Sequence, residues 1–599
     1  MARKPQDVLG NTTLTHFDVC IIGSGAGGGT AAHVLTAGGK NVLVLEAGPN
    51  LYPNLDKPKP ITTLHSNDEL KYESRNLIDQ IAMFEPRTFR FDAGATAVVN
   101  SDVNLLPKAV GGAFQHADCK TPRFTAVDFQ LKTKMEATIG ATPGLAVPGF
   151  GADAASANFA DWPFTYDDLE PFYSEAEQLY GVQGDTSNPF ASTVRSKPYP
   201  MPPGVPMYLS LVIKAGAEMT TFFGSPLHPH PFPAAITSQF YDDRPPCVDC
   251  GLCSGFGCPN NSKGSPAVTT LRKALLSGHC QLRYNAHVSK LVNTGSLVTG
   301  VEYFDGQGAF QTATADAFIL AASPIESARL CLLSDPGGAG LGNSSSQVGR
   351  NLMFHFQTNV NAFLPNRVHG QRGRAVTHGL SDFRGVVPGG ADVRVFDDGG
   401  SPRVAMGGIC EFGGPQGLPI TEDGEAYAFS LGVRYGQALK NVMRDAPLGQ
   451  HLFGMIMQAE DAPQLSNRVD LDPTVKDVFG LPVPRVTYKN HPYETETRTF
   501  YAPYMHQVLA NAGGTHVFTA PCDALLSGPP TSRHILGTLR MGNDPATSVL
   551  NPQGRFHDVQ NLYACDGSTF VTSGGWNPTL TIMAVALKIA HGIAGTQPS

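Results

Sequence analysis

Residues 18–50 read DVCIIGSGAGGGTAAHVLTAGGKNVLVLEAGPN, and the spacing of the parts decides the fold. Val19 to Ile22 is a short apolar run of the kind that forms a buried parallel strand. Gly23-Ser24-Gly25-Ala26-Gly27-Gly28 then completes GxGxxG, and helix-forming residues continue from Ala31 to Leu35. A second apolar run, Val42 to Leu45, ends in Glu46. Gly23 allows the tight turn, Gly25 lets the backbone approach a pyrophosphate, and Gly28 brings the helix close to the strand. The helix start offers free N–H groups and a positive dipole end to phosphates. Glu46 is placed to accept a hydrogen bond from an adenosine ribose. Alone, GxGxxG is a common turn in a chain with 65 glycines. With a strand before it, a helix after it and an acid at the right distance, it reads as a Rossmann-type dinucleotide site.

The rest of the chain sets the class. At 599 residues it is long enough for several domain-sized units. Hydrophobic content of 41% and charged content of 16% are those of a well-packed soluble protein. A net charge of −8 argues against nucleic acid or an anionic membrane as the main partner. The most apolar helical stretch, Leu580 to Ala594, is too short to span a bilayer and is interrupted by Lys588 and His591, so it reads as a core helix. The first 18 residues, MARKPQDVLGNTTLTHFD, show neither an apolar secretory run nor paired arginines. A cytoplasmic location is the expectation, unless a partner carries the chain out.

In order along the chain, Val110-Gly111-Gly112-Ala113-Phe114-Gln115-His116 pairs two glycines where backbone would pack against a flat ligand. An aromatic anchor at 161–164 precedes Tyr166-Asp167-Asp168-Leu169-Glu170, whose acids suit the first turn of a helix. Residues 186–208 are proline-rich and read as a connecting excursion. Asn285 to Asn293 and Val298 to Phe304 resemble paired strands. Ala317 to Ala322 is a buried strand leading to a helix with Pro324 in its first turn. Residues 355–500 carry alternating patterns and Gly/Pro turns, as in an antiparallel sheet.

Four of the eleven cysteines form Cys247-x2-Cys250-x2-Cys253-x4-Cys258-Pro259. This is close to the ferredoxin run C-x2-C-x2-C-x3-C-P, with one extra residue in the last gap. Glycines at 251, 255 and 257 would let the loop wrap round a cluster. Zinc, which four thiolates also suit, and a loop without metal stay open beside the iron–sulfur reading.

Near the C-terminus, His534-Ile535-Leu536-Gly537-Thr538-Leu539-Arg540-Met541-Gly542 precedes NLYACDGST at 561–569 and then Gly574-Gly575-Trp576-Asn577-Pro578-Thr579-Leu580-Thr581. With the N-terminal glycine loop and the VGG stretch, these motifs resemble the glucose–methanol–choline flavoprotein oxidoreductases over nearly the whole chain. HxxGTxRMG and NPTLT are the specific parts. DWPFTYDDLEPFYSEAE at 161–177 and KPYPMPP at 197–203 are similar to the flavin subunits of bacterial sugar and polyol dehydrogenases. VGG-x3-H and TPRF at 121–124 are similar to pyranose 2-oxidases.

The resemblance implies FAD, held by Gly23, Gly25, Gly28, Glu46, Gly111, Gly112, His116, Asp566, Gly567, Asn577, Pro578 and Thr579. It implies an α/β fold with a discontinuous FAD domain (1–185, 241–354 with the cysteine loop, and 516–599). The substrate part would be an excursion at 186–240 and an antiparallel-sheet unit at 355–515.

His534 matches the family's catalytic histidine and Asn577 the partner position. Oxidising an alcohol by hydride loss requires removal of the hydroxyl proton, which a histidine can accept. A second polar group must hold the developing alkoxide. Asn577 before Pro578 also reads as a helix N-cap. His116 stands where some family members attach the flavin covalently. Glucose dehydrogenases of the family hold a [3Fe–4S] cluster on a cysteine-rich stretch of this region, with a different spacing. The implied reaction is oxidation of a sugar or polyol CH–OH group, with electrons passed to an acceptor other than oxygen. A small accessory subunit and a cytochrome acceptor are the implied partners. The alternatives are an oxidase that makes hydrogen peroxide and a non-catalytic flavin electron-transfer subunit.

Overall fold

His16–Ile22 and Val42–Leu45 lie side by side as parallel strands, with Val19 opposite Val42. Phe310–Leu320 pairs parallel on the other side of the first strand. Cys280–Arg283 joins beyond Val42–Leu45, and Leu562–Ala564 pairs with Phe310–Leu320, both parallel. The computed structural model in which these elements are seen describes residues 8–11, 14–65, 85–99, 106–413, 436–445, 451–519, 530 and 532–598, except 252, 336, 371, 375 and 398. Residues 1–7 of the N-terminal stretch lie outside the described residues.

A parallel sheet must be covered on both faces. The strands at 19–22 and 42–45 are accordingly apolar and buried. Helix Ala26–Ala37 packs on helix Thr579–Ala594, which in turn packs on helix Tyr166–Tyr180. The last of these begins with a capping box between Thr165 and Asp168, which explains the acids in its first turn. Hairpin His287–Thr294 and Leu297–Phe304 extends the sheet antiparallel from the first half of Phe310–Leu320. This sheet is therefore built in three visits of the chain, as a discontinuous Rossmann-type unit requires.

A second sheet of six strands is antiparallel throughout. Its order is Thr515–Thr519, Phe356–Phe363, Leu452–Ala459, Cys410–Gly413, His378–Leu380 and His230–Pro231. Helices Tyr208–Glu218 and Pro492–Asn511 cover one face. That side buries Phe356, Val360, Ala362, Phe412, Met455 and Met457 against Ile213, Tyr501, Met505 and Val508. The alternation of FQTNVNAF sends Gln357, Asn359 and Asn361 to the opposite face. That face forms a wall of the large cavity between the two sheets. Among the described residues no helix is long and apolar enough to cross a membrane.

Candidate active site

The cavity measures about 1020 Å³. It is lined by Gly23, Gly25, Gly27 and Glu46, by Gly112, His116, Asp566 and Gly567, and by His534, Asn577, Pro578 and Thr579. Gly23 turns at φ +101, and a Cβ there would stand 2.2 Å from the Ala321 carbonyl oxygen. Gly112, at φ +66, lies so close to Gly25 that its Cβ would be 2.5 Å from the Gly25 Cα. The wall at this point is bare backbone. Helix Ala26–Ala37 starts at Gly25 with no side-chain cap, and helix Thr579–Ala594 starts at Pro578 with none. Two uncapped helix starts thus open on one elongated cavity, and their free N–H groups suit a phosphate and an electron-rich ring edge.

These features fit FAD. Gly23, Gly25, Glu46, Gly112, His116, Asp566, Gly567, Asn577, Pro578 and Thr579 all face the cavity. Gly28 and Gly111 act behind the wall. A Cβ on Gly28 would meet the Gly23 carbonyl oxygen at 2.0 Å, and one on Gly111 the Ala267 side chain at 2.7 Å. Glu46 accepts from Ser24 N (3.0 Å), Ser24 Oγ (2.6 Å) and Gly48 N (2.9 Å). Its carboxylate therefore ties the glycine loop to the end of the second strand as well as lining the cavity.

His534 and Asn577 are the residues to which the resemblance assigns the chemistry. Met353 and Leu536 form an antiparallel bridge, which sets His355 opposite His534. The rings meet edge-on at 87°, with Nδ1 to Nδ1 at 2.7 Å. His355 Nε2 lies 3.1 Å from the Ser573 carbonyl oxygen. Burial, helped by His355 and Lys120, holds the His534 pKa well below its ordinary value. Burial also lowers His355 to about 4, against the opposing pull of the Ser573 and Gly574 carbonyls. Both rings are neutral at pH 7. Gly537 makes the HxxGT turn possible, because it sits at φ +77 and a Cβ would come within 1.9 Å of the Asn351 carbonyl oxygen.

Asn577 does not cap its helix, contrary to the reading of Asn-Pro as an N-cap. Pro578 occupies the cap position. Asn577 Nδ2 instead donates to Glu411 Oε1 at 2.9 Å. Its Oδ1 is buried without a hydrogen-bond partner. Such an atom is costly to leave unpaired, and here it offers an acceptor beside the cavity. Glu411 is 1% exposed and forms an ion pair with Lys120, whose ammonium also pairs with Asp118 at 3.1 Å. Burial opposes the charge on Lys120, but Glu411 and Asp118 outweigh it and raise its pKa. Lys120, Glu411, Asp118, His355 and the amides of Gln357, Asn359, Asn361 and Gln458 escape sequence reasoning. Only the alternation of FQTNVNAF signals any of them, and it suggests a solvent-facing side.

His116 is buried and lines the cavity. Gly255 N donates to its carbonyl oxygen at 3.0 Å, which docks the cysteine loop against this stretch. The metal reading of that loop is not supported. Among the described residues no three Cys, His, Asp or Glu side chains converge as metal ligands. Cys250 is exposed, Cys247 and Cys258 are half-buried, and Cys253 is buried. The buried ammonium of Lys263 donates to the carbonyls of Cys253 (2.6 Å) and Phe256 (2.9 Å). The turn closes on that cation.

The proton-accepting role that the resemblance implies for His534 has a pH signature. Because the His534 pKa lies well below 6.5 in the folded protein, its base form is fully present above that pH and persists below it. Flavin reduction by substrate is expected to change less than about twofold between pH 8 and pH 6, whereas an unshifted histidine would lose roughly three-quarters of its base form by pH 6. Rapid-mixing absorbance across that range is the measurement. An acid limb centred near 6.5 would contradict the shift.

Comparisons with known proteins agree with this geometry. Two family models described as GMC oxidoreductase match residues 234–357 and 463–586. The gluconate 2-dehydrogenase flavoprotein of Pantoea cypripedii is 28% identical, over 97% of this chain and 94% of its own length. The fructose dehydrogenase large subunit of Gluconobacter japonicus is 26% identical, over 98% of this chain and 99% of its own. Among solved structures, a variant of formate oxidase from Aspergillus oryzae superposes with a TM-score of 0.57 at 14% identity, covering 98% of this chain and 99% of the other.

Proposed function

Since this chain belongs to the glucose–methanol–choline oxidoreductases, we propose that it oxidises a CH–OH group of a neutral sugar or polyol and passes the electrons to an acceptor other than oxygen. The observation that carries the proposal is the pairing, in one cavity, of a neutral buried histidine with a wall of amides. His534, Asn577, Glu411, Gln357, Asn359, Asn361 and Gln458 all line it. Amides that donate and accept suit a ligand with several hydroxyls, each of which needs both. The relatives named as gluconate and fructose dehydrogenases, matched over 94% and 99% of their lengths, add support for a polyhydroxylated substrate.

FAD, when bound along the glycine-lined end, supplies the hydride acceptor. The chain's own residues do the rest. His534 takes the hydroxyl proton. Asn577 Oδ1 orients the hydroxyl beforehand, and its amide is held in place by Glu411. Lys120, paired with Glu411 and Asp118, places a fixed positive charge where negative charge grows on oxygen. A cytochrome is the acceptor class this reading favours.

The test is anaerobic bleaching of the flavin by a panel of sugars, polyols and sugar acids, followed by admission of oxygen. Bleaching by neutral polyols with slow reoxidation is expected. Rapid reoxidation with hydrogen peroxide would replace the dehydrogenase reading by an oxidase. No bleaching by any of them would return the chain to an electron-transfer role. No step is assigned to the cysteine loop. Protein purified without oxygen is expected to hold iron and acid-labile sulfide at far below one equivalent, and a stoichiometric content of both would reverse that assignment.

A further inference from the structure

The hydrogen bonds around His355 admit one arrangement of protons. The Ser573 carbonyl oxygen can only accept, so His355 carries its proton on Nε2. The ring is neutral, so its Nδ1 is bare. His534 Nδ1, 2.7 Å away, must then be the donor. Since His534 is neutral as well, its Nε2 is bare, and this is the nitrogen left to a ligand in the cavity that His534 lines. We propose that His355 is a positioning residue: it holds His534 in the Nδ1–H tautomer, so that a bare Nε2 always meets the substrate hydroxyl.

The inference rests on the alcohol-oxidising reading and deepens it. The substrate O–H bond breaks and its proton forms an N–H bond at His534 Nε2, while the carbon bearing that oxygen gives up its hydrogen as hydride, which FAD would accept, and becomes a carbonyl carbon. The imidazolium so formed keeps its Nδ1–H bond to His355, which neither gains nor loses a proton. His355 is held from both sides. Its backbone position is fixed by the Met353–Leu536 bridge, and the Ser573 hydroxyl is tied to the Asp461 carbonyl at 3.2 Å. The charged groups nearest the two rings are Lys120, Arg384 and Asp128. None of them is hydrogen-bonded to either histidine in the contacts that fix the tautomer. The sequence gives no hint of this role, because LMFHFQ reads as a core strand with one polar residue.

Two variants test it in the FAD-loaded full chain. His355→Leu removes both hydrogen bonds at similar volume. His355→Gln restores them, since its oxygen can accept from His534 Nδ1 and its amide can donate to Ser573. With the best substrate of the panel, the Leu variant should reduce its flavin about 10²–10³-fold more slowly at saturation, because a base in the wrong tautomer loses up to about 10⁴ in rate. The substrate Kd should change less than about threefold, and the Gln variant should recover to within about tenfold of wild type. Reduction of the Leu variant at the wild-type rate would overturn the proposal. Equal slowing of both variants at unchanged FAD content would assign His355 to packing alone, which also overturns it. If the wild-type protein is not reduced by any member of the panel, the parent reading falls and this inference with it.

Discussion

Replacing His534 by alanine is expected to leave FAD in place and to slow its reduction by substrate about 10²–10⁴-fold, the usual worth of a positioned general base. The residues expected to hold the cofactor lie mostly elsewhere, at Gly23, Gly25, Glu46, Gly112 and the two helix starts, so occupancy should not follow the rate. Asn577 Oδ1 can accept a hydrogen bond but not a proton, and the bare Nδ1 of His355 stands behind His534, outside the cavity lining, where it would face only the space the imidazole left. Lys120 is a cation with its charge reinforced by two carboxylates. The check is single-turnover reduction at pH 7, normalised to bound flavin. A variant that bleaches as fast as its parent would remove His534 from the chemistry.

Arg384→Met is expected to cost about 3–5 kcal/mol of stability, the range for breaking a buried ion pair by removing one partner. The guanidinium is fully buried. It donates to Asp128 and, at 3.3 Å, to Glu460 Oε2. Tyr493 also donates to Glu460 Oε2, at 2.9 Å, and Trp576 Nε1 donates to Asp128 Oδ2 at 3.0 Å. Burial raises Glu460 to about 7 even with Arg384 pulling it down. Without the guanidinium, both carboxyls would sit in low dielectric with no countercharge. The cluster joins helix Ala126–Phe129 to the end of strand Leu452–Ala459 and to helix Pro492–Asn511, so the loss should loosen the six-stranded sheet from the FAD side. Thermal and urea unfolding of the FAD-loaded protein measure it. A melting temperature within a degree of the parent's would show that the cluster adds no net stability.

Local signals carried most of the fold. The strand–glycine–helix–strand order of residues 18–46 could be read because each part needs only its neighbours: an apolar run, a glycine turn, a second apolar run. The HxxGT motif was legible for a similar reason, since Gly537 answers to a backbone clash and not to a distant side chain. Lys120, Glu411 and His355 were not legible. Each is a single polar residue whose meaning comes from a partner far along the chain. FQTNVNAF shows the limit well. Its alternation correctly gives a half-buried strand, but the polar side faces a binding cavity where the pattern alone suggests water. The cysteine spacing likewise says nothing about the buried ammonium of Lys263, which donates to two carbonyls of that loop. Asn577 lines the cavity, yet its amide is spent on Glu411 and not on the helix start.

The three visits that build the parallel sheet have a consequence for synthesis. Phe310–Leu320 leaves the ribosome long before Leu562–Ala564, its neighbour on one side. Roughly 240 residues separate them, about 10–50 s of elongation. Throughout that interval the Phe318–Leu320 end of this apolar strand has one row of backbone groups unpaired, a ready template for mispairing. The glycine loop and both early strands can already be folded, whereas the HxxGT turn and the helix behind Asn577 are made late. The nascent protein therefore acquires the dinucleotide end of its pocket first and its proton acceptor among the last pieces.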